Sequence, residues 1–175
     1  MFWLEIVCLL GDWSRASALA REAELDDVAF EVGPMLSQLA DYFFLRGLIA
    51  AERAPGFAAR RTLARCLRQL RTWARRGPDF VHLAQGIEAE LARRRGRSAR
   101  ALDLYQSAAQ RAERQGHVHH AGLLHERRAA LLDQLRRGTE AATALTAAIE
   151  RYQAWGAETK VAQLAQRRRN LSWNG

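Results

Sequence analysis

Cysteine, proline and lysine are scarce in this chain, and long apolar runs are missing altogether. Cys8 and Cys66 are the only thiols among 175 residues. They are too few and too far apart for a zinc site or a disulfide framework, so reduced thiols in a bacterial-type cytoplasm are expected. Lys160 is the single lysine, and it follows Thr159 rather than a glycine. That removes the phosphate-binding loop, whose Gly-Lys-Ser/Thr end cradles a nucleotide. No two glycines stand two apart, so the Gly-x-Gly fingerprint of dinucleotide binding is absent as well. No stretch approaches the roughly 18 apolar residues of a membrane span, and no membrane partner is expected. The opening MFWLEIVCLL is apolar, but it lacks a basic leader and carries Glu5 inside the run. It therefore reads as part of the folded chain and not as an export signal.

What is present is arginine, alanine and helical spacing. The net charge of +8 rests almost wholly on arginine. It would attract nucleic acid or acidic protein surfaces, although arginines solvating helix faces account for most of it. Prolines and most glycines punctuate amphipathic stretches, and no alternating strand pattern occurs, so the fold class predicted is all-α with about nine helices. Gly33-Pro34 and Gly77-Pro78 each open a helix, with proline at the tolerated first helical position, and Ala54-Pro55-Gly56 separates two more. Phe80, Leu83, Ala84, Ile87 and Leu91 share one helical face, as do Ala101, Leu104, Tyr105, Ala108 and Ala112. Ala144, Leu145, Ala148, Ile149 and Tyr152 repeat the arrangement.

A longer period overlies the helical one. Gly77, Gly116 and Gly156 lie 39 and 40 residues apart, each at a helix end. A shift of 40 sets Ala101 on Ala141 and Ala108 on Ala148, and a shift of 39 sets Leu63 on Leu102 and Cys66 on Tyr105. Helix pairs of this length cannot bury their apolar faces alone, so they stack as antiparallel helix-pair repeats in a tetratricopeptide-like α-solenoid. A single domain over 1–175 is expected, with 1–33 an irregular or truncated first repeat and 34–173 regular helix pairs. LLGDWSRASALAREAE, residues 9 to 24, has the Gly-Asp turn and alanine spacing of a repeat.

The unit at 79–116, with Ala89, Gly96, Ala101, Tyr105 and Ala108, leads into Leu124, Glu126, Ala129-Ala130 and the corner Trp155-Gly156-Ala157 with Lys160-Val161. Over roughly residues 34 to 164 this pattern resembles the helical-repeat region of large bacterial signalling proteins. Those proteins carry protein-kinase-like and AAA-type ATPase modules before the repeats, and GAF and sensor histidine kinase domains after them. The resemblance implies a non-catalytic protein-binding scaffold, either a fragment or a freestanding relative. The catalytic parts of that family lie outside its repeats, so neither an enzyme activity nor a cofactor is expected.

The remaining chemistry is sparse. HERRA at 125–129 begins like a zinc-protease helix, but Ala129 stands where the second histidine belongs. His117, His119, His120 and His125 cluster locally, and His117 with His120 could share a face as two metal ligands; a polar turn is the plainer reading and no metal site is assigned. Glu88, Glu90 and Glu126 read as ion-pair partners of nearby arginines, since residues two apart on a helix point in different directions. Trp3, Trp13, Trp73, Trp155 and Trp173 are dispersed and read as packing residues rather than a stacking platform. Arg93 and Arg94 fall late in the first helix of a repeat, where a concave groove would lie, and are the candidate contacts to an acidic peptide. Self-association through uncapped repeat ends is a further expectation. The alternative is a basic helical-repeat part of a transcription regulator associating with nucleic acid.

Overall fold

The structure, a computed structural model, describes residues 7–8, 11–22, 36–53 and 56–172. The readings at the first residues, at Gly33-Pro34, at Ala54-Pro55, and at Trp3 and Trp173 lie outside the described residues. Among the described residues all regular structure is helical, in eight α-helices. They are α1 (Trp13–Glu22), α2 (Leu36–Glu52), α3 (Phe57–Ala74), α4 (Val81–Arg94), α5 (Ser98–Arg114), α6 (Val118–Gln134), α7 (Gly138–Trp155) and α8 (Glu158–Ser172). A 3₁₀ turn at Pro78–Phe80 precedes α4, with Pro78 at the first position as its fixed φ favours. No described helix is long and apolar enough to cross a membrane. The chain forms two compact units, Met1–Ile87 and Glu88–Gly175, the division falling inside α4.

The N-terminal unit is built around α2, whose sequence LSQLADYFFLRGLIAAE is apolar on nearly every side. Such a helix is stable only when covered all round. Tyr42, Phe44 and Leu48 are fully buried, and α3 packs on α2 with Leu63, Cys66, Leu70 and Trp73 turned inward. The ring of Trp73 meets Phe43 edge-on at 5.5 Å, the arrangement preferred by aromatic quadrupoles. Cys8 and Cys66 are buried thiols outside any disulfide, and burial pushes the Cys66 thiol up to about 12, which leaves it unreactive.

In the C-terminal unit each of α5, α6, α7 and α8 packs on its neighbour in sequence. Helices α5 and α7 are amphipathic and bury stripes of small residues, Ala101, Ala108 and Ala112 in one and Ala141, Ala144 and Ala148 in the other. Helix α6 buries nine residues and is covered on most sides. The faces read from sequence are present: Leu83, Ala84 and Ile87 are buried, and so are Tyr105, Leu145, Ile149 and Tyr152.

The joints repeat more often than the sequence period suggests. Gly96, Gly116, Arg136 and Gly156 all adopt the left-handed conformation, with φ of 70°, 79°, 60° and 81°. They are spaced every 20 residues, half the period read from the glycines. At each joint the next amide reaches back five residues to a helix carbonyl: Arg97 to Ala92, His117 to Ala112, Arg137 to Leu132 and Ala157 to Tyr152, at 2.9–3.0 Å. That bond is the Schellman closure, which satisfies carbonyls the helix end would leave unpaired. The same closure stands at Gly11, where the Asp12 amide donates to Val7. Gly77 is not part of the series; its φ of −163° is extended backbone that any residue adopts.

Candidate functional site

Charge buried in an alanine-rich stack must be paired or it costs several kcal/mol, on the order of 3–5 for a broken buried pair. The C-terminal unit meets this demand with three carboxylates, each bridging helices. Glu90 of α4 is completely buried, and its oxygens accept from Arg127 Nε of α6 at 2.7 Å and from Arg93 Nε of its own helix at 2.9 Å. Burial pushes the Glu90 carboxyl up, but the Arg127 and Arg93 guanidinium groups more than offset it and hold it below the usual carboxylate range. The Tyr105 hydroxyl faces this carboxylate without a hydrogen bond of ordinary geometry, and burial together with the Glu90 charge raises its pKa well above the usual phenol value.

Glu113 of α5 is the second bridge. Its Oε1 accepts from His125 Nε2 of α6 at 3.0 Å and from Arg151 Nε of α7 at 2.9 Å. An ionised carboxylate only accepts, so His125 carries its hydrogen on Nε2. Burial pulls the His125 pKa below the ordinary imidazole value, against the opposing pull of Glu113. The third bridge is Glu126 of α6, which accepts from Lys160 Nζ of α8 at 2.9 Å and from the Tyr152 hydroxyl of α7 at 3.2 Å. Gly122 makes room for that tyrosine: a Cβ there would lie 3.1 Å from Tyr152 Cε1.

Together these rungs tie α4 to α6, α5 to α7 and α6 to α8. Their partners sit 37, 38 and 34 residues apart in sequence. Chemically the groups are spent on one another. A general base works best with a pKa near the operating pH, whereas Glu90 and Glu113 are held low by cations in direct contact.

The sequence-derived candidates fall around this ladder. Glu90 and Glu126 are ion-paired as expected. Lys160 is only 4% exposed and pairs across helices, so of its two expected roles, solvated or helix-pairing, it takes the second. Arg93 is half-buried against Glu90, and an acidic peptide would have to compete with that carboxylate; Arg94 is half-buried beside it. His125 leaves the histidine cluster for Glu113. His117 and His120 have ring centroids 5.6 Å apart, and His119 stacks on Trp155 at 5.2 Å, which leaves that tryptophan 40% exposed. Glu113, Arg127, Arg151 and Arg136 were not singled out from sequence. The signal for the first three was the recurrence of opposite charges at a little under one helix-pair period.

Neither a family model nor a curated protein nor a solved structure matches the chain.

Proposed function

We propose that this chain is a non-catalytic protein-interaction module of tetratricopeptide-like helix pairs arranged as an α-solenoid. It would serve in the cytoplasm as the repeat region, or a freestanding relative, of an ATPase- or kinase-containing signalling protein. One observation carries the reading: an identical Schellman joint every 20 residues, combined with ion pairs that link each helix to the second one along. In stacked helix pairs, every helix touches its sequence neighbour and its counterpart in the next pair, which is the contact pattern these bonds follow. First helices of the pairs, α4, α6 and α8, would line the concave side, and Arg94 would face an acidic peptide there.

Photo-crosslinking from a probe placed beside Arg94 tests this reading. A discrete protein partner that is captured by the native chain and lost in Arg94→Glu supports it. Recovery of no adduct, with neither another protein nor a second copy of the chain, would remove it. Light scattering across micromolar concentrations reads self-association separately, and a constant monomer mass excludes it.

A further inference from the structure

The N-terminal unit carries a surface that the helix-pair reading leaves unused. Between Glu52 and Asp79 the sequence has no carboxylate, yet α3 and the two residues after it contain seven arginines. At about 100° per residue, Arg60, Arg61, Arg68, Arg71 and the C-cap Arg75 fall within an arc of roughly 100°, and all of them are exposed. Leu63, Cys66, Leu67, Leu70 and Trp73 occupy the opposite face and are buried. The ridge runs roughly 22 Å from Arg60 to Arg75 at 1.5 Å per residue.

Ordinary helix solvation does not produce this. Arginine complements the helix dipole at a C-terminus, which accounts for Arg71, Arg75 and Arg76. Arg60 and Arg61 sit near the N-terminus, where the dipole opposes cations, and Arg71 with Arg75 is a like-charge pair four apart. The C-terminal unit, in contrast, matches its inward cations with glutamates. A ridge that weakens its own helix while presenting planar, bidentate donors suits phosphate groups.

Phe57 selects among polyanions. It is 81% exposed and lies in the same arc, at the N-terminal end of the ridge. An isolated exposed ring beside guanidinium groups is a stacking surface for an unpaired base. A bilayer fits less well, because the apolar face of α3 is turned into the core and only Phe57 remains to enter lipid.

We propose that the exposed face of α3 binds single-stranded nucleic acid, its arginines holding successive phosphates and Phe57 stacking on a base. This stands independently of the protein-interaction reading, which Arg94 tests in the other unit.

Fluorescence anisotropy of the full chain with labelled 20-nucleotide oligouridylate and oligothymidylate provides the test. With five phosphates engaged, raising salt from 50 to 200 mM is expected to weaken binding about a hundredfold. Arg60→Gln/Arg61→Gln/Arg68→Gln should lower the slope of log affinity against log salt by about 2. Arg114→Gln/Arg168→Gln/Arg169→Gln removes the same charge from exposed positions elsewhere and should leave affinity within about threefold. Phe57→Ala should weaken the single strands roughly tenfold and a duplex hardly at all. Circular dichroism confirms that each variant keeps its helix content. Absence of binding at 50 mM salt, equal losses from both arginine triples, or binding to phosphatidylserine vesicles without oligonucleotide binding each overturns the proposal. A Phe57→Ala variant with undiminished single-strand affinity overturns the assignment to single strands.

Discussion

Arg136 holds a backbone conformation that glycine holds at the three equivalent joints, Gly96, Gly116 and Gly156. For a residue with a Cβ, the left-handed region costs roughly 1–2 kcal/mol, while glycine concedes part of this through the freedom it gains in the unfolded chain. Arg136→Gly is therefore expected to stabilise the fold by about 0.5–1 kcal/mol, and Gly116→Ala to destabilise it by about 1 kcal/mol. Urea denaturation of the two variants reads both signs, and a destabilised Arg136→Gly would mean that the arginine side chain contributes more than the backbone strain removes. This position also explains why the shorter period stayed hidden. Turn chemistry assigns glycine to such joints, so one arginine in the series makes a 20-residue repeat read as a 40-residue one. Gly156 was legible because it has the expected residue; Arg136 was not, because tertiary context overrides the local preference.

Helices were legible from their apolar spacing, since one-sided burial needs nothing beyond the 3.6-residue period. The rungs between helices were not, because a partner some 37 residues away is defined only once the stacking register is known. Glu90 shows what the register is worth. Glu90→Ala leaves Arg127 buried without its carboxylate and is expected to cost about 3–5 kcal/mol. Glu90→Leu/Arg127→Met should cost clearly less than the sum of its single substitutions, with a coupling of about 1–3 kcal/mol from a double-mutant cycle in urea. The Glu113 rung predicts a pH response. Burial depresses the His125 pKa, so the unfolded chain takes up this proton at a higher pH than the folded one. Its contribution is complete above about pH 6.5 and is lost as pH falls below that value. Glu90 and Glu113, held low by their cations against the upward push of burial, add a second loss below about pH 4.3. Thermal midpoints from pH 8 to 3 should show both declines, and His125→Gln should flatten the upper one while keeping the lower.

At the scale of the whole molecule, net charge conceals a division of labour. Arginines facing Glu90 and Glu113 are structural, whereas those on α3 lie along a stretch without a single carboxylate. A count of +8 is blind to that difference; a helical wheel over residues 57–75 would have revealed the ridge. The proposed solenoid also fixes how damage spreads. When each helix contacts only its neighbours and its counterpart in the next pair, stability is a sum of local terms, and a lost rung loosens the adjoining helix rather than the entire unit. Lys160→Ala removes the cation that joins α8 to Glu126 of α6 and leaves that carboxylate with Tyr152 alone. Amide hydrogen exchange in α8 should then accelerate roughly tenfold, equivalent to about 1.4 kcal/mol, with α5 unchanged within about twofold. Equal acceleration in α5 and α8 would mean that the C-terminal unit unfolds as one globular core, and the solenoid reading would fail with it.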